Sequence, residues 1–195
     1  VCWNYFSDCL TKCSDTFNAN QQIFGKVYFP RLVVPFSIVI SNMIKLGIQF
    51  LLFLVVYIYY SVELGGFDIN WTILLTPLLV VMLACLGLGF GLVISSMTTK
   101  YRDLRFLVSF GVQLWMYATP VIYPLSVMKQ NYPDKIWVIV ANPLTAITET
   151  FKYGFTGVGV FEWSYLLYSL SFTVVILLLG IVIFNRTQKN FMDVI

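Results

Sequence analysis

Residues 32–60 read LVVPFSIVISNMIKLGIQFLLFLVVYIYY, an apolar run whose one charged residue is Lys45. Such a run exceeds the ~20 residues that a helix needs to cross a hydrocarbon core. It must tilt, bend near Pro35 or project past the membrane. Further runs follow at 71–97, 106–123 and 163–184. Barrel strands alternate apolar and polar residues over about ten positions, whereas these runs are continuous. Only 11% of the 195 residues are charged and 59% are hydrophobic, against about 25% charged in ordinary soluble domains. A soluble fold would have too little polar surface to cover its core. The chain is expected to be an all-α integral membrane protein with four complete transmembrane helices.

Between the last two spans, residues 136–157 carry an apolar stretch too short to cross, broken at Asn142-Pro143. Runs of that length favour interfacial or re-entrant segments. Pro143 removes a backbone donor and disfavours helix at Asn142. The expectation is a re-entrant helix pair that dips into one membrane face and returns. Loop charge sets the orientation. Loop 98–105 holds Lys100, Arg102 and Arg105, while loop 61–70 holds only Glu63 and Asp68. The positive-inside rule puts the first in the cytoplasm and the second outside. Lys26 and Arg31 then fall inside, as do Arg186 and Lys189 in the tail 185–195. A fifth span at 136–157 would push that tail outside. Tyr57, Tyr59, Tyr60, Trp71, Tyr123, Trp137, Trp163 and Tyr165 gather at the outward ends, as an aromatic belt does.

Catalytic chemistry finds little to work with. There is no histidine for base work and no pair of membrane carboxylates for a proton relay. GLGFGL at 87–92 lacks the G-x-G-x-x-G spacing, and no G-x-x-x-x-G-K-[ST] occurs. No cofactor is expected on this chain. Gly87 and Gly91, with Ala84 a turn earlier, instead form a small-residue face suited to close helix packing. Cys9 and Cys13 share a helix face but lack a second ligand pair, so all four cysteines read as thiols rather than a metal site. Net charge +3 is spread over loops, which gives nucleic acid no basic face to bind.

Two patterns could serve a transported molecule. Ser37, Ser41, Lys45 and Gln49 recur every four residues along the first span, with Asn42 beside them. Polar groups in hydrocarbon turn toward protein or a water-filled path; alternatively Lys45 snorkels to the headgroups. Phe106, Phe110, Gln113 and Tyr117 share a face of the third span, with Trp115 off it. That face suits sugar stacking, or equally lipid contact and packing. Ser41, Lys45, Gln49, Gln113, Trp115 and Tyr117 are the candidate path residues.

The stretch IFGKVYFPRLVVP at 23–35 carries Lys26, ends near Pro30-Arg31 and enters a span directly. It resembles the coupling segment in membrane subunits of bacterial ATP-binding-cassette polysaccharide exporters, the O-antigen, capsule and teichoic-acid permeases. WNYFSD at 3–8, KYRDLRFLVSF at 100–110, TPVIYP at 119–124, ANPLTAITETFKYG at 141–154 and FNRTQKNFMDVI at 184–195 are similar to further landmarks of that family, in its order. Lys152 stands where the family commonly has arginine.

The resemblance covers essentially the whole chain. It implies six spans in a complete subunit, with residues 1–20 the cytoplasmic end of a truncated second span. It also implies two permease subunits working as a homodimer in the inner membrane with a separate ATPase that binds ATP and Mg. Lipid-linked glycan would be the substrate. Ile23, Phe24, Lys26, Val27, Tyr28, Phe29, Pro30 and Arg31, within segment 21–31, would press into the ATPase. Lys100, Tyr101, Arg102, Asp103 and Arg105 would form a second cytoplasmic loop, with Asp103 placed to pair with Arg102 or Arg105. Asn142 and Pro143 would shape the outward mouth. Related permeases move drugs or lipids, which is the alternative within transport. A membrane-embedded glycosyl- or acyltransferase would want a paired acid or histidine that the spacing does not supply.

Overall fold

The computed structural model describes residues 1–20, 30–63, 70–99, 101, 103–121, 123, 125–131 and 136–192, and for 18, 129–131 and 189–192 the backbone alone. The described residues form helices and no strand. In chain order these are α1 (Cys2–Ser14), α2 (Thr16–Ala19), α3 (Val33–Glu63), a 3-10 turn (Trp71–Leu75) leading into α4 (Thr76–Thr98), α5 (Leu104–Ala118), α6 (Leu125–Asn131), α7 (Ile136–Val140), α8 (Pro143–Thr156) and α9 (Trp163–Met192).

Among the described residues, three stretches are long and apolar enough to cross a membrane: Val33–Glu63, Trp71–Thr98 and Trp163–Gln188. Pro35 does not interrupt α3, because it falls in the first turn, where its missing N–H would have had no helical partner. The third apolar run behaves differently. Its helix, α5, stops at Ala118 because Thr119 precedes Pro120 and takes an extended backbone, φ −103° and ψ 138°, as sterics before proline demand. At 15 residues, α5 rises about 22 Å, short of a ~30 Å hydrocarbon core.

The bundle is organised around α4, which lies between α1 and α9. The GLGFGL stretch explains why. Gly87 and Gly91 face α1, so close that an added Cβ at Gly87 would sit 2.8 Å from the Cβ of Cys9, and one at Gly91 would strike that of Cys13. Gly89 faces the other way, onto the backbone of Leu177 in α9 at 3.0 Å. Gly180 returns the contact, since a Cβ there would lie 2.6 Å from the Gly89 carbonyl oxygen. Small residues admit two backbones at once, which is how helices associate where no water drives them together.

Contacts along the bundle fix helix directions. Phe6 and Cys9 meet Gly87, and Leu10 and Cys13 meet the later Gly91, so α1 and α4 run parallel. Tyr5 reaches Val39, and Cys13 reaches Pro35, so α3 runs against them. Trp71 packs on Trp163 and Phe17 stacks on Phe184, so α9 runs with α4. Pro30, Arg31, Thr98 and Arg105 therefore gather at one end, and Tyr57, Trp71 and Trp163 at the other.

Helix α8 climbs toward the tryptophan end from inside the bundle. Its first residue, Pro143, accepts a hydrogen bond from Ser169 Oγ at 2.8 Å. Ser169 lies about 9 Å along α9 from Trp163, by helix rise. The far end of α8 meets the 3-10 turn, where a Cβ on Gly154 would be 3.1 Å from Ile73 N. Gly157, at φ 69°, closes the helix in the left-handed conformation that favours glycine. Phe50, Phe53 and Tyr57 of α3 pack edge-on against Phe155 with centroids 5.1–6.0 Å apart.

Candidate functional site

At the Arg31 end, the link after α1 is tied to two other elements. Thr98 Oγ1 donates to Ser14 O at 2.9 Å, and Arg105 Nη1 lies 3.2 Å from Asp15 Oδ2. The Asp15 side chain is only 16% exposed, so Arg105 reaches out of its loop into the root of the segment leading to α3. Pro30 is exposed and Arg31 is buried, with burial pulling its guanidinium below the usual value. Arginine still keeps its charge at neutral pH. Tyr101 and Asp103 are exposed. Ile23, Phe24, Lys26, Val27, Tyr28, Phe29, Lys100 and Arg102 lie outside the described residues.

The stripe on α3 finds its complement on α1. Lys45 Nζ donates to Asp8 Oδ2 at 2.5 Å, and Lys12 Nζ donates to Asn42 Oδ1 at 2.7 Å. Asn42 is buried and passes its Nδ2 hydrogen to Cys9 Sγ at 3.7 Å. A lone charge at the centre of a membrane helix costs about 2.5–3.5 kcal/mol by insertion scales, and pairing offsets part of that. The seam thus joins α1 to α3 by both charge and hydrogen bonds. Ser37 bonds back to Val34 O within its own helix, Ser41 is exposed, and Gln49 is half-buried.

On α5 the two candidate aromatics part company. Trp115 turns inward, its ring edge-on to Phe6 and Phe90 with centroids 5.5 and 5.2 Å away. Tyr117, Gln113, Phe106 and Phe110 all lie exposed on the outer face. An open apolar groove of about 450 Å³ runs beside this helix, between Trp115, Val112, Ile94 and Leu10.

Toward the tryptophan end, the Asn142-Pro143 break is a helix cap. Asn142 Oδ1 accepts from Leu144 N at 3.2 Å, and its Nδ2 donates to Thr119 Oγ1 at 2.9 Å. Asparagine there satisfies an amide at the start of α8 and pins the chain end of α5. Two turns on, Glu149 is buried, with Lys152 Nζ 3.3 Å from its Oε1. The same carboxylate faces Leu125 N and Val160 N at 3.4 Å. Lys152 also donates to the carbonyls of Pro120 and Tyr123, the latter at 3.3 Å. One buried ion pair therefore clasps the start of α6 and two loops. A Cβ on Gly159, at φ 144°, would approach Glu149 Oε2 to 3.2 Å.

Sequence reasoning missed Asp8, Lys12, Asp15 and Glu149. Spacing alone carried a signal for the first three: Asn4, Asp8, Thr11, Lys12 and Asp15 fall on one face of a 3.6-residue helix. Glu149 and Lys152 have the i, i+3 spacing of a helical ion pair. Among the described residues no cluster of three His, Cys, Asp or Glu could hold a metal ion, and Cys9 and Cys13 are spent on the contact with α4.

Two proteins of Klebsiella pneumoniae, each named O-antigen export system permease protein RfbA, are 28% and 29% identical to 99% of this chain, which spans 71% of each. One of the same name from Myxococcus xanthus is 27% identical over 77% of this chain and 55% of its own length. The similarity is to a transporter's membrane subunit and not to an enzyme. Glycine-packed apolar helices, a charged seam within them and the match of residues 3–156 to the ABC-2 type transporter model agree, and the chain belongs to that membrane family.

Proposed function

We propose that this chain is the transmembrane subunit of an ATP-driven exporter that moves lipid-linked polysaccharide across the bacterial inner membrane. The observation that carries the reading is similarity along 99% of the chain to two proteins named O-antigen export permeases, and along 77% of it to a third from another organism. Two copies form the membrane unit. A separate ATPase binds ATP and Mg and docks on segment 21–31. Four segments span, 32–60, 71–97, 106–123 and 163–184. The depth of the Pro143–Ser169 contact supports a re-entrant pair that dips from the outer face. The tail is cytoplasmic, as its arginine and the positive-inside rule favour.

Deleting the gene and staining intact cells for surface polysaccharide tests the reading. Surface glycan should vanish while lipid-linked glycan accumulates inside, and the gene in trans should restore it. Unchanged surface glycan would overturn the proposal, and a concurrent loss of drug resistance or of a surface lipid would identify the alternative cargo. Reversing charge at Lys26 should abolish export while leaving membrane insertion intact. Normal export from that variant would remove segment 21–31 as the docking site.

A further inference from the structure

Helix α1 has an unusual division of its surface. From Asn4 onward, each of its residues that is not buried is polar: Asn4, Ser7, Asp8, Thr11 and Lys12, with Asp15 just beyond. Its apolar residues, Phe6, Cys9, Leu10 and Cys13, all turn into the bundle. The exposed sides of the neighbouring long helices are the reverse, with Ile40, Ile44, Ile48 and Val55 on α3 and Val174 and Leu178 on α9.

This polar face lies at membrane depth. Cys9 and Cys13 rest on Gly87 and Gly91 of α4, and Gly87 is about 16 Å short of the Thr98 end by helix rise. Lys45 closes one flank, paired to Asp8 yet with its own side chain 53% exposed. In hydrocarbon, exposed charges and amides must find water or protein. Ser7 and Thr11 are short enough to admit a protein neighbour, but a second copy or another segment of the subunit seated here would have to take Asp8 and Lys12 out of water as well.

We propose that the polar face of α1, flanked by Lys45, is one wall of a water-filled path through the protein, and that a hydroxyl-rich glycan chain passes along it. Donors and acceptors alternate along the face. Asp8 accepts, the two lysines donate, and Asn4, Ser7 and Thr11 do both. That mixture suits sugar hydroxyls, which need both kinds of partner. The water-filled wall rests on the transporter family alone, whereas the glycan as occupant rests on the export reading.

Single cysteines at Asn4→Cys and Thr11→Cys, compared with Ile44→Cys and Val55→Cys on the aliphatic side of α3, test this in native membranes. All four positions are at least partly exposed, so the substitutions leave packing alone. Labelling by a charged methanethiosulfonate reagent is read against the parent protein, with total thiol after denaturation as the check on amount. The first pair should react at least tenfold faster than the second, and accumulated lipid-linked glycan should slow them. Equal rates for both pairs would overturn the wall, as would spontaneous disulfide dimers through Asn4→Cys without labelling. Fast labelling that glycan leaves unchanged, in cells that export it, would overturn the contact with sugar. Failure of the export reading itself is read separately, from surface glycan in the deletion strain.

Discussion

Arg105, in the first turn of α5, holds its guanidinium 3.2 Å from the carboxylate of Asp15 at the foot of α1. The pair links the short basic loop to the root of the segment that leads into α3. It joins two parts of the chain that lie at the same end of the bundle. Arg105 is 62% exposed, so the pair contributes no more than ~1 kcal/mol to stability. Its consequence is geometric, since it ties the two segments to each other.

Arg105→Glu should therefore leave expression and thermal stability nearly unchanged. Export should fall by up to about fivefold, the rate equivalent of ~1 kcal/mol. The double exchange Asp15→Arg with Arg105→Glu should recover most of the loss. Export measured in the three strains at equal protein level decides it, and a double variant no better than the single would remove the pair from coupling.

Gly180 and Gly89 make a different kind of contact, backbone against backbone. Gly180→Val would force a Cβ within 2.6 Å of a carbonyl oxygen that cannot swing aside. Overpacking of this sort costs about 1–3 kcal/mol or more. Gly47 on α3 has nothing within 4 Å of such a Cβ, and Gly47→Ala should be neutral or stabilise by up to ~1 kcal/mol through helix propensity. Thermal unfolding in detergent separates the two, and a Gly180→Val protein as stable as the parent would show that α9 is not seated on α4.

The legibility of these features differs for physical reasons. The packing role of Gly87 and Gly91 follows from spacing alone, because periodicity states which residues share a face. Spacing could not say which helix would cover it, so Gly180 and the opposite role of Gly89 stayed hidden. Lys45 and Asn42 stood out as polar in an apolar run, yet their partners Asp8 and Lys12 sit in a segment that reads as a helix tail. The reach of α5 was overdrawn by hydropathy. The 106–123 run stays apolar past Ala118, but Pro120 dictates the backbone and ends the helix. Trp115 and Tyr117, two residues apart, look alike in sequence and separate only when the helix is seated.

That separation is testable. Trp115→Ala removes a ring wedged between Phe6 and Phe90 and should cost about 3 kcal/mol, the lower end for an aromatic deletion. Tyr117 is 68% exposed, and Tyr117→Ala should change stability by less than about 0.5 kcal/mol. An export defect in Tyr117→Ala at normal stability would therefore report on the path or on a contact between copies. Full export from that variant would exclude Tyr117 from both.

Glu149 and Lys152 present the sharpest energetic asymmetry. The carboxylate is 1% exposed and draws the amides of Leu125 and Val160 toward it, while Lys152 holds the carbonyls of Pro120 and Tyr123. Removing the cation alone leaves a buried negative charge without its neutralising partner, which typically costs 3–5 kcal/mol in a buried pair, so about that loss is expected for Lys152→Met. Glu149→Gln with Lys152→Met removes both charges and keeps an acceptor for the amides. It should regain most of the stability, because a neutral pair of similar volume escapes the desolvation cost. Lys152→Arg should be tolerated, since it keeps the charge and adds donors for the two carbonyls. Thermal midpoints for the three variants, read beside export, distinguish a clasp that merely holds the fold from one that must open. If the clasp opens during transport, the double variant should be stable and export at an altered rate. If it is a fixed brace, stability and export should return together. A Lys152→Met protein as stable as the parent would show that the clasp does not depend on its cation.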